Sequence, residues 1–195
     1  MNVLLITFFS VFSVVNSAVL QYRSVEVGFA TVPAYYWRDF NGLIPSDAIK
    51  GGKDENGEDT YVAQFTTLAE YNVAKTKLHT VPGVIKKRSR YAFAPYAGRV
   101  IHSNSTTNTK ILCISIERYY MWLSPGSTFS PNCRFVIGGN EDGFPMFVGR
   151  AKHNKEVVVG KIFSDNTNHR TGLISAYNGI EVFHDTYEVL SHCPS

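Results

Sequence analysis

The chain has 195 residues and a formal net charge of +3. That length suits one domain or two small ones packed together. The charge is too mild to imply a nucleic-acid or strongly acidic partner. Tyr (11) and Phe (13) are abundant, which favours strands over helices.

Residues 1–17 carry no charged side chain and are mostly apolar. The run is short for a membrane span, and Val15 and Ser17 are small enough to precede a cleavage point. A secretory signal peptide over 1–17 is expected, with a secreted mature chain and no stable membrane insertion. A buried N-terminal strand or a retained anchor is the alternative. Val25, Val27 and Phe29 alternate with Glu26 and Gly28, the period of a strand. Residues 66–80 offer the best place for a short helix, although β-branched residues weaken it.

One stretch then occurs twice. Pro45 to Gln64 and Pro131 to Arg150 share their pattern, with prolines 86 apart (131 − 45) and Gly-Gly pairs 87 apart (138 − 51). Each copy reads as a strand, a Gly-Gly pair, an acidic turn with Gly, and an aromatic, β-branched strand. Asn56-Gly57 and Asp142-Gly143 between apolar runs are hairpin signals. The Gly-Gly pairs are expected to serve tight turns, and the tryptophans to serve the core. Trp37 matches Trp122, and Tyr96-Ala97-Gly98 matches Tyr177-Asn178-Gly179. The repeats are expected at 18–115 and 116–195, the first with a leading strand. The fold class is all-β: two tandem, pseudo-symmetric antiparallel β repeats packed as one compact unit.

Lys86-Lys87-Arg88-Ser89-Arg90 is a basic run, suited to sulfated glycan or acidic lipid, or simply a solvated turn. Asn104-Ser105-Thr106 is an N-glycosylation acceptor within a polar stretch. Three cysteines allow one bridge and a leftover thiol, or an intermolecular bridge. Cys113 with Cys193 is preferred, because each closely follows a strand that the repeat makes equivalent. The histidines show no metal-binding spacing, and Gly57 is misplaced for a calcium loop. No nucleophile elbow, phosphate loop or dinucleotide fingerprint occurs, so no catalytic role, cofactor or metal is expected.

The residues Trp37, Pro45, Ala48, Gly51, Gly52, Asp54, Gly57, Tyr61, Val62, Ala63, Pro82, Gly83, Tyr96, Ala97 and Gly98 together resemble the DM-nine repeat family. Trp122, Pro131, Gly138, Gly139, Gly143, Phe147, Val148, Arg150, Gly160, Lys161, Tyr177, Gly179 and Glu181 repeat that likeness. The resemblance implies a mannose-type lectin related to a molluscan branch, often dimeric, with insect relatives linked to responses to microbes and parasites. It implies sugar contact from the acidic residue after Gly-Gly-x and the Lys after Pro-Gly. The first repeat keeps Asp54 but has Val84 where Lys is expected, leaving Lys86 or Lys87 to substitute. The second has Glu141, with Asp142 beside it, and keeps Lys161, with Val159 in place of Pro. The second site is therefore the better sugar-binding candidate. A carboxylate accepts from sugar hydroxyls and an ammonium donates to them. Trp122, Tyr177 or Phe147 could stack on the sugar. The bland reading of Glu141 and Lys161 is a cross-strand ion pair. The expected partner is a mannose-type glycan, or a protein bound without any sugar, and a homodimer is allowed.

Overall fold

The computed structural model describes residues 24–27, 30–33, 35–68, 77–127, 132–164 and 171–194. The expected leader, Phe29 and Pro131 lie outside them, as does the middle of the expected helix, 69–76. The ends of that helix are strand instead, because they extend the longest hairpin of the fold.

A short hairpin, β1 (Ser24–Val27) and β2 (Ala30–Pro33), stands apart as its own sheet. The first repeat contributes β3 (Tyr35–Asp39), β4 (Lys50–Lys53), β5 (Asp59–Leu68), β6 (Leu78–Lys86), β7 (Ala92–Tyr96), β8 (Arg99–His102) and β9 (Lys110–Ile114). A single 3-10 turn, Glu117–Tyr119, leads into β10 (Tyr120–Leu123). The second repeat continues through β11 (Arg134–Phe135), β12 (Ile137–Glu141), β13 (Phe144–His153), β14 (Glu156–Phe163), β15 (Leu173–Tyr177), β16 (Ile180–His184) and β17 (Glu188–His192).

The pairings close a six-stranded antiparallel barrel. Meander β4–β5–β6 supplies one half and meander β12–β13–β14 the other. The halves meet at two seams, Lys53 opposite Val157 and Thr80 opposite Asn140. Outside the barrel, β7–β8 hangs from β6 and β15–β16 from β14. Strands β9–β3 flank β5, and β17–β10 flank β13. The registers make the halves equivalent: Trp37 faces Leu112 as Trp122 faces Leu190. One cluster joins both halves, with Ile49, Val62 and Leu112 packed with Val136, Val148 and Leu190 under the two tryptophans.

The Gly-Gly pairs do a different job from the one expected. They lie within β4 and β12, not in turns, and none of the four has a positive φ. Their role is close approach. A Cβ on Gly52 would sit 1.9 Å from the Val157 carbonyl oxygen, and one on Gly139 would sit 2.0 Å from that of Thr80. The tight turns instead use Gly57 and Asp142-Gly143, whose φ values are positive.

The disulfide also differs from the expectation. Cys133 bonds to Cys193, and Cys113 is a buried free thiol. The equivalence used to pair Cys113 with Cys193 is offset by two residues. Since Leu112 corresponds to Leu190, the counterpart of Cys113 is Ser191. Cys133 instead precedes β11, which runs beside the end of β17. Burial pushes the Cys113 thiol up to about 11, with the Asp47 carboxylate adding to the effect.

Gly52→Ala or Gly139→Ala should each destabilise the protein by about 3 kcal/mol or more, the upper end of overpacking costs, because carbonyl backbone cannot yield as a side chain does. Gly57→Ala meets open space and should cost less, from its positive φ alone. Chemical denaturation of the three variants would check the order.

Candidate functional site

The register places Lys161 and Val84 at equivalent positions: Lys161 faces Val148 and Ile174, and Val84 faces Val62 and Phe93. By the same reasoning Glu181 corresponds to Val100, Met146 to Thr60, and Phe163 to Lys86. The barrel thus has two related sites, built from different side chains.

The site expected to be the better one is closed. Lys161 Nζ donates to Glu141 Oε2 at 2.9 Å and lies 3.4 Å from Glu181 Oε1. The lysine side chain is 3% exposed, and those of Glu141 and Glu181 are 5% and 12% exposed. Glu181 Oε2 accepts from the Gly98 N–H at 2.9 Å. The ammonium also sits over the Tyr96 and Phe163 rings, 5.5 and 5.4 Å from their centroids. Met146, fully buried, packs in the same cluster as Phe163 and Tyr96. Asp142 turns outward to Lys77 at 3.1 Å and His79 at 3.2 Å. The Lys77 hydrogen bond holds its carboxyl below the usual range. The expected acid–amine pair does come together, but as an internal ion cluster.

At the equivalent place in the first repeat the protein is open. A cleft of about 560 Å³ runs between the halves, with Thr60, Val84, Phe93 and Val100 on one side and Glu156 to Val159 on the other. Tyr177, Asn178 and Gly179 from the β15–β16 turn close one end, and Lys53, Glu55 and Lys86 line it as well. The openness follows from the substitutions. Val84 stands where a lysine fills the other site, Val100 where a glutamate does, and Thr60 where a methionine does. Lys86 reaches out to Glu55 at 3.0 Å, whereas its counterpart Phe163 is buried.

Burial raises the Glu156 carboxyl above its ordinary value, an effect that the Lys86 charge opposes. Its cross-strand neighbour is His153. Asp54 does not offer its carboxylate to the cleft in the way expected: Oδ1 accepts from the Asn56 and Glu58 N–H groups, both at 2.9 Å, and so builds the acidic turn. Of the three aromatic candidates, Tyr177 lines the cleft. Trp122 carries Arg150 over its ring at 4.4 Å, and Phe147 packs against Phe135 at 5.2 Å.

The basic run is answered by that acidic turn. Lys86 pairs with Glu55, while Lys87 and Arg88 approach Glu58 at 3.4 and 3.8 Å. Asn104 lies on an exposed turn after β8, its Oδ1 accepting from the Thr106 N–H and hydroxyl at 2.9 and 2.7 Å. That position suits a glycan acceptor. Behind Tyr177, the His153 ring lies 4.3 Å from the tyrosine and 5.3 Å from His184, whose Nε2 is 2.8 Å from the Ser175 hydroxyl.

Sequence reasoning missed Thr60, Glu156 and the histidine pair. The Val84 departure was the available signal. It marks a missing side chain, and only the closed barrel shows that the missing volume becomes a cleft.

The fold and cleft define a closed, pseudo-symmetric β-barrel module with an open groove between its halves. A family model for the DM9 repeat matches residues 72–172, which span β6 through β14. The chain belongs to the DM9 repeat family. No curated protein matches it.

Lys161→Ala should destabilise the protein by about 3–5 kcal/mol, because it leaves two buried carboxylates without their counter-charge. Urea denaturation would read this; an unchanged midpoint would show that the cluster is hydrated. A second expectation concerns acid. Burial first, and then His153, holds the His184 imidazole below its ordinary 6.5. A base depressed on folding contributes stability that is complete above its unfolded value and lost as pH falls through its folded one. Melting temperature should therefore drop as pH falls from neutrality through about 6.5, and drop less in His184→Gln.

Proposed function

We propose that this protein is a secreted, non-catalytic carbohydrate-binding module that takes a mannose-type sugar in the cleft between its two half-barrels. The observation that carries this reading is an uncommitted, partly buried carboxylate, Glu156, and an aromatic ring, Tyr177, lining the same open groove. Glu156 accepts hydroxyl donors and Tyr177 offers a face to the apolar side of a pyranose. Lys86 and Lys53 supply donors at the rim, balanced by Glu55 and Asp59. The groove is nearly neutral as a result, which suits an uncharged polyol better than a sulfated or phosphorylated one.

The size fits as well, since about 560 Å³ is within the range of small-ligand sites. The Cys133–Cys193 bridge supports an oxidising compartment outside the cytosol, in keeping with secretion. Family membership is consistent with a lectin-like or a protein-interaction module. The groove favours the first of these.

A glycan array probed with the folded, mature protein tests the reading. Binding to mannose-type glycans is expected, with Glu156→Gln and Tyr177→Ala each weakening it about tenfold or more, a loss equivalent to one good hydrogen bond or ring contact. A silent array from a folded, disulfide-bonded sample would overturn the sugar reading in favour of a protein partner.

A further inference from the structure

Thr60 is the odd residue of the cleft. It is 4% exposed, and its Oγ1 is fully buried without a hydrogen-bond partner. Its cross-strand neighbours explain why. Gly52 on one side has no side chain, and Lys86 on the other turns to Glu55. A hydroxyl buried without a partner is a liability, since a hydrocarbon of the same shape would avoid the desolvation cost. The fold itself shows that alternative. At the equivalent position of the closed site stands Met146, fully buried, with no polar atom to satisfy. Nothing in the barrel architecture calls for a hydroxyl there.

We propose that Thr60 is a specificity-determining residue, whose unpartnered hydroxyl, lying against Gly52 in the unliganded protein, turns into the cleft to bond one hydroxyl of the bound sugar. This rests on the carbohydrate reading above. The chemistry is a difference between ligands. A sugar with a hydroxyl at that position bonds Thr60 and gains; its deoxy analogue leaves the threonine hydroxyl unpaired and is rejected. Sites of this kind discriminate far better than a purely apolar pocket, because the penalty falls on the wrong ligand. Threonine suits the task because its hydroxyl both donates and accepts, so a sugar hydroxyl can meet it in either sense. Rotation about χ1 exchanges hydroxyl and methyl within almost the same volume, so the group can be presented to a ligand without moving the strand.

The test combines Thr60→Val and Thr60→Ser with mannose and its set of single-deoxy analogues. Affinities come from calorimetry, and melting temperatures are read without ligand. Thr60→Val should bind mannose about tenfold more weakly, and Thr60→Ser should restore most of the loss. Wild type should reject one deoxy analogue by a similar factor, and Thr60→Val should no longer distinguish that analogue from mannose, the non-additivity expected of groups in contact. Without ligand, Thr60→Val should melt at the same temperature or higher. A Thr60→Val protein that binds mannose as wild type does, or that melts lower, would overturn the inference by making the hydroxyl idle or structural. If wild type binds no sugar while Thr60→Val still melts no lower, the carbohydrate reading itself falls and takes this inference with it. Loss of the inference alone is thus separable from loss of the function.

Discussion

The structure depends on how closely two backbones approach at the barrel seams. Gly52 lies against the Val157 carbonyl and Gly139 against that of Thr80, with no room for a single carbon at either place. Each seam joins one repeat to the other, so neither meander closes without its partner. An isolated three-stranded meander would expose two unpaired edges, and closure removes both. The same device recurs one layer out. Gly83 meets the Phe93 carbonyl and Gly160 that of Ile174, where the outer hairpins leave the barrel. The repeated glycines therefore mark contacts, and the contacts hold the two halves as one body.

Once the halves are locked in pseudo-symmetry, a few side chains decide what each equivalent site becomes. Lys161, Glu181, Met146 and Phe163 fill one; Val84, Val100, Thr60 and Lys86 leave the other open. The filled site carries buried charge, which is expensive, but its ammonium is met by two carboxylates and two rings, and one carboxylate is further held by the Gly98 amide. That cluster ties β12, β14 and β16 to the turn between β7 and β8. The open site keeps the polar groups that a ligand could use and lacks the bulk that would exclude one. The contrast between the two equivalent sites follows from side-chain volume on strands that pair in the same way.

The region around the cleft also shows how local charge patterns resolve in three dimensions. The acidic turn 54–59 and the basic run 86–90 read as separate features along the chain. The hairpin of β5 and β6 brings them together, since Thr60 faces Lys86. Lys86, Lys87 and Arg88 are thereby set against Glu55 and Glu58. Asp54, expected at the ligand, holds the turn that presents this charge.

The sequence by itself determined the class of fold, the two repeats, their hairpin turns and the family. These rest on period-two patterning, on Asn-Gly and Asp-Gly signals, and on a motif recurring at nearly constant spacing, all of which are local or arithmetic. The resemblance joined Glu141 and Lys161 as a sugar site, and of the two readings the structure shows the ion pair. Only the tertiary structure decided that this pair is internal, that Cys133 rather than Cys113 meets Cys193, and that the Gly-Gly pairs serve seams rather than turns. It alone decided that Val84 lies in an open cleft lined also by Thr60 and Glu156. The seams and the cleft turn on residues from the other repeat, as Val157 meets Gly52 and Thr80 meets Gly139, while the disulfide joins two residues 60 positions apart within the second repeat. Sequence periodicity records which face of a strand a residue occupies. What that face meets is set only when the barrel closes.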